Sequence, residues 1–351
     1  MIRKGTLIFA AAAALAATGL SAAPAGAAMP SSTTRFATDA YPGFDREENI
    51  ISSKKKEPRW FSWINGPAKT NATEQLAYAE ACESEQSWRA ARRAYDALVR
   101  EWPSSPEAPV AQLKLADLYL GHYLEYEEAF TEYKYLLDYY SSQCDYDAMA
   151  RRLYEVARLM EREGKTLIFF RFANTVDVHR AFEAVVLRAP GADFAPAAML
   201  TVASLREDEG EFERAVQVYE NLRNLHPLSA EAPVALHREG AARMKMLHEH
   251  EYNRGRCQDT IAFLRMALAS NPSDETKDDF SKWLDEAVAK LEDEAFAAAK
   301  FYDSRTRTRR SAVNAYERFL RDYPASRHVD EARARLKELG ATSADAGEAG
   351  K

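Results

Sequence analysis

The chain has 351 residues, 46% hydrophobic and 29% charged, with 14 Gly, 14 Pro and a formal charge of −7. That length fits two compact domains or one elongated array, and the sparse glycine and proline exclude collagen-like and wholly disordered classes. The acidic balance argues against nucleic acid, and three widely spaced cysteines (Cys82, Cys144, Cys257) are no disulfide framework; one bridge stays open, with nothing to choose the pair.

Residues 1–27 read as a secretory signal peptide. Arg3 and Lys4 precede the apolar run "LIFAAAAALAATGL", and "SAAPAGAAMP" supplies small residues for cleavage after Ala27 or Ala28. The run is too short and too Ala-rich for a good membrane span, and no later stretch approaches one. No Cys follows it until Cys82, so the expectation is an exported protein without a lipidated Cys. Residues 28–72 mix Pro, Ser, Asp and Lys without a helical period and read as a disordered linker or extended arm. Within it, "KKKEPRWFSW" (54–63) suits peripheral contact with an anionic membrane surface, or aromatics packed on the first repeat with solvated lysines.

From residue 73 a four-position pattern recurs. Ala91, Tyr95, Leu98 and Pro103 stand at intervals of four, three and five; Ala215, Tyr219, Leu222, Pro227 and Ala312, Tyr316, Phe319, Pro324 repeat them. A fourth copy, Ala129, Tyr133 and Leu136, ends in Ser141. Weaker copies are Val178, Phe182, Val185, Pro190 and Thr260, Leu264, Ala267, Pro272. Steps of four and three place these side chains on one helix face, the small residue admits a neighbouring helix, and proline stops the helix. Ser105 with Pro106, Ser229 and Ser326 are expected to cap the helix that follows.

Each copy needs a first helix before it. Val202 and Ala203 precede Ala215 by about twelve residues with Gly210 in the turn, and Leu115 and Ala116 do the same with a turn one residue longer. Asn71 and Glu74 resemble a capping box for the first of these helices. Helix pairs with a small residue at the crossing and a terminal proline describe the tetratricopeptide repeat. The expected fold is all-α: an α-solenoid of about six helix-turn-helix pairs over 73–340, closed by the polar helix "DEARARLKEL", with 341–351 a disordered tail.

No catalytic motif emerges. There is no G-x-S-x-G, no phosphate-cradling glycine loop, no H-E-x-x-H and no C-x-x-C, so neither enzyme activity nor a cofactor is expected. His248 and His250 sit two apart in "LHEHEYNRGRC", on opposing sides of a helix, and no metal is expected. "TLIFFRF" (166–172) is either an exposed partner-binding patch or the small core of an insertion. The repeat geometry makes Glu80, Glu83, Asp117, Leu120, Ser204 and Glu207 candidates for a partner-binding groove. Arg305, Arg307, Arg309 and Arg310 in "SRTRTRRSA" run against the helix-dipole preference and form a second candidate contact.

The phrases "REWPSSPEAPVAQLKLADLYL" and "RDYPASRHVDEARARL" resemble the outer-membrane assembly factor BamD (YfiO-like) group of exported tetratricopeptide proteins, over about 73–340. The resemblance implies a scaffold at the periplasmic face of the outer membrane. Its partners would be β-barrel assembly machinery subunits and unfolded outer-membrane protein segments. Members of the group usually begin with a lipidated Cys. The alternative is a soluble periplasmic adaptor of the envelope or cell-division type, like the Tol-associated repeat proteins.

Overall fold

A computed structural model describes residues 66–166, 175–249, 254–270, 272–305 and 309–348. The signal peptide, the arm to residue 65, "KKKEPRWFSW", most of "TLIFFRF" and His250 lie outside these residues. Among them there are thirteen α-helices and no strand. They are α1 (Ala72–Ser84), α2 (Trp88–Glu101), α3 (Ala108–Leu118), α4 (Tyr126–Tyr139), α5 (Tyr146–Thr166), α6 (Thr175–Arg188) and α7 (Ala195–Asp208). There follow α8 (Phe212–Leu225), α9 (Ala232–Glu249), α10 (Arg254–Ala269), α11 (Asp274–Arg305), α12 (Arg309–Asp322) and α13 (Val329–Glu348). The fold is all-α and of the tetratricopeptide type. No helix among the described residues is long and apolar enough to cross a membrane.

The chain divides between Leu205 and Arg206, inside α7, into two compact units. In the first, α1 packs on α2, α2 on α3, α3 on α4, α4 on α5 and α5 on α6. In the second, α8 packs on α9, α9 on α10, α10 on α11, α11 on α12 and α12 on the closing α13. Every even-numbered helix from α2 to α12 carries one copy of the sequence pattern, so the order of six pairs and a cap is the one expected. The pattern residues are the core: Ala91, Tyr95, Leu98, Ala129, Tyr133, Leu136, Ala215, Tyr219 and Leu222 are each fully buried. Burying a leucine-sized side chain stabilises by about 1.5–3 kcal/mol, so the large members of each of these three copies contribute a comparable share.

The proline-ended turns share one backbone geometry. Trp102, His226 and Tyr323 donate to the carbonyls of Leu98, Leu222 and Phe319, closing each helix. Three residues on, Ser105, Ser229 and Ser326 donate to Trp102, His226 and Tyr323. They in turn accept from Ala108, Ala232 and Val329. All three serines are turn residues, and of these Ser326 also accepts the His328 N–H on its Oγ at 3.3 Å, just ahead of α13. The next helix starts at Ala108, three residues beyond Ser105, with Glu107 before it and no side-chain cap bond. The reason is geometric: two successive three-residue turns must form before the chain can reverse. Asn71 does cap α1, its Oδ1 accepting from the Glu74 N–H at 2.8 Å.

Two insertions are absorbed inside helices. The turn after α3, one residue longer than its counterpart after α7, is taken up by a π-helical segment, Tyr119–Tyr123, ending at Leu124 with φ 57°. The extra length between Pro272 and Pro324 is taken up by a 32-residue first helix, α11, ahead of α12. Phe280, Ala287 and Leu291 on its first part join Leu264 and Phe263 of α10 in one core. Phe296 and Ala299 on its last part join Tyr316 and Phe319 of α12 in another. Opposite α11, Gly240 of α9 occupies the small-residue position held elsewhere by Ala79, Ala116 and Ala203. A methyl there would lie 2.9 Å from both Phe280 and Trp283, so even alanine is too large.

Candidate protein-binding surface

Three of the six groove candidates turn out to be occupied by the repeat itself. Each buried pattern tyrosine donates its hydroxyl to a carboxylate on the preceding helix: Tyr95 to Glu83 at 2.6 Å, Tyr133 to Asp117, Tyr219 to Glu207 at 2.5 Å and Tyr316 to Asp303 at 3.3 Å. The partner lies 12 residues back in α1 and in α7 and 13 in α11. It lies 16 back in α3, one helical turn earlier, because the π-helical segment intervenes.

A cation from the next odd-numbered helix completes each group. Lys114 of α3 lies 3.5 Å from Glu83, Arg152 of α5 2.6 Å from Asp117, Lys245 of α9 3.3 Å from Glu207 and Arg335 of α13 2.7 Å from Asp303. Arg238 of α9 also reaches the Tyr219 hydroxyl, which together with Glu207 holds its pKa up. Lys114, Arg152, Arg238 and Arg335 all stand eleven residues after Pro103, Ser141, Pro227 and Pro324. In the two copies without tyrosine, Phe182 and Leu264, the same place holds Thr201 and Trp283. Tyrosine, carboxylate and cation thus go together, and each group ties one helix pair to the next helix.

Burial, and then the facing carboxylate, push the pKa of Tyr95 well above the phenol range. Tyr133 and Tyr219 move the same way, and Tyr316 is raised to about 12. The hydrogen bonds from Arg335 hold Asp303 below the usual carboxylate range. These hydroxyls are neutral donors in the working pH range, and none is poised for acid–base chemistry.

The remaining candidates differ in exposure. Glu80 is exposed on α1; Leu120 is half-buried in the π-helical segment; Ser204 is half-buried on α7. Of the basic cluster, Arg310 is exposed on α12, whereas Arg309 is half-buried with its Nη2 3.5 Å from the Glu338 carbonyl of α13. Arg307 and the side chain of Arg305 lie outside the described residues. Arg309 begins its helix where Trp88, Tyr126 and Phe212 begin α2, α4 and α8. His248 faces Glu286 at 3.3 Å. Among the described residues no group of three or more His, Cys, Asp or Glu is arranged to hold a metal ion. All three cysteines are free thiols, and burial raises Cys144 and Cys257 to about 11.

No protein-family model and no curated protein matches the chain. Among solved structures it is similar to a tetratricopeptide repeat protein from Parabacteroides merdae, at 13% identity over 76% of this chain and 98% of that chain, with a TM-score of 0.29.

Proposed function

We propose that the chain is a non-enzymatic, exported scaffold that binds protein partners in the assembly of outer-membrane β-barrel proteins. The observation that carries this reading is the division of labour within the repeat. Positions that recur are buried or held in tyrosine–carboxylate–cation groups, while exposed positions beside them, such as Glu80 and Arg310, change from copy to copy. A regular frame presenting irregular side chains suits recognition of an extended or helical protein segment. The resemblance of the first and last repeats to the BamD group supports β-barrel assembly as the process and the periplasmic face of the outer membrane as the place.

On this reading Glu80, Leu120 and Ser204 contact the partner directly, Glu83, Asp117 and Glu207 hold the frame, and the arginines at 305–310 form a second contact. Copurification of the tagged full-length protein from cell envelopes should recover a β-barrel assembly subunit. Recovery of division or Tol-type envelope proteins in its place would overturn the assembly role.

A further inference from the structure

A cleft of about 710 Å³ opens in the first unit, between the first turn of α5 and the turn that joins α6 to α7. Asp145, Asp147, Arg151 and Asp193 stand on its rim, and Ala189, Pro190 and Phe194 supply apolar wall. Its cations are already matched. Arg188 grips Asp138 through two 2.7 Å hydrogen bonds, and its carbonyl accepts the Tyr146 hydroxyl at 2.8 Å. Arg151 holds both oxygens of Asp193 at 2.9 Å and lies 5.4 Å over the Phe194 ring.

What remains is negative charge. Asp145 accepts the Ala148 N–H at 3.1 Å, and Asp147 follows in the first turn of α5. Together they already answer the positive end of the helix, so an anion gains nothing there and a cation does. Pro109, Pro196 and Pro233 stand at the register position of Asp147 in three other copies, and Asp278 and Asp330 share it in the last two; what sets this turn apart is the Asp145 and Asp147 pair, with Ser141 in place of the helix-ending proline.

We propose that this cleft takes a lysine or arginine side chain from an extended segment of the partner protein. The aliphatic stem lies along Ala189, Pro190 and Phe194, and the cation meets Asp145 and Asp147. The proposal rests on the scaffold reading and adds a chemical preference to it: net-acidic cleft, basic partner segment.

The test uses the full chain and a labelled heptapeptide, Gly-Ser-Lys-Gly-Lys-Ser-Gly, with a twin carrying Glu for Lys. Fluorescence anisotropy should detect the lysine peptide and not its twin. The double variant Asp145→Asn/Asp147→Asn should weaken it about fivefold. Asparagine keeps the helix cap, and far-UV circular dichroism checks that α5 is intact. The matched change Asp274→Asn/Glu275→Gln, in the first turn of α11, should leave binding unaltered. A benzophenone-bearing lysine peptide should label residues 188–194. Equal weakening by both double variants, labelling elsewhere or no binding of the lysine peptide would each overturn the proposal. If crosslinking in cells captures a partner equally with and without Asp145→Asn/Asp147→Asn, the cleft is excluded while the scaffold reading stands. Capture of no partner by either protein sinks the scaffold reading.

Discussion

Tyr219 concentrates the residue-scale account, because its hydroxyl meets Glu207 on one helix and Arg238 on the next. Tyr219→Phe keeps the ring and its packing but strips a partner from two charged groups, so it should cost about 1–2 kcal/mol in denaturant unfolding. The same groups give a pH signature. The folded-state pKa of Tyr95, Tyr133, Tyr219 and Tyr316 is raised, so the folded state holds their protons longer than the unfolded chain. Their contribution is full below about pH 10 and is lost as pH rises, by up to about tenfold in the folding equilibrium per pH unit and tyrosine. Tyrosinate absorbance and circular dichroism should therefore change together above pH 10, and tyrosines that titrate while the helices stay intact would refute this. The tyrosines were legible in the sequence. The role of Glu83, Asp117 and Glu207 was not, because helical spacing gives a face but not the donor that meets it. One signal was available: a lysine or arginine eleven residues past the helix stop occurs only in copies that have the tyrosine.

At the scale of elements, two turns of identical hydrogen bonding hold different residues. After α7, Gly210 takes φ 79° as its N–H and that of Glu211 donate to Glu207 and Arg206. After α1, Gln86 takes φ 59° as its N–H and that of Ser87 donate to Glu83 and Cys82. A side chain is disfavoured in this conformation and open space surrounds Gly210, so only the backbone term is at stake. Gly210→Ala should destabilise by about 1 kcal/mol and Gln86→Gly should stabilise by about 0.5–1 kcal/mol. Gly240→Ala belongs to another class, since its methyl would meet two aromatic rings of α11; about 1–3 kcal/mol should be lost in thermal or denaturant melts. The helix order and the proline stops followed from periodicity and from proline chemistry. The π-helical segment and the unbroken α11 did not, because an insertion read from sequence alone fits a longer loop as well as a longer helix.

For the whole molecule, the phrase that ends in proline builds the frame, and on the proposed reading the side chains that differ between its copies contact the partner. That division was partly visible beforehand, since conserved spacing marked the core positions. It was sharpened when half of the groove candidates proved to be bound within the repeat. The most direct test is photo-crosslinking in intact cells, with a reactive amino acid placed in turn at Glu80, Ser204 and Arg310 and, for comparison, at the exposed cap residue Lys337. The account predicts that the first three positions trap a β-barrel assembly subunit or an outer-membrane protein segment and that the cap traps neither. Capture from the cap alone, or from none of the variable positions, would contradict it.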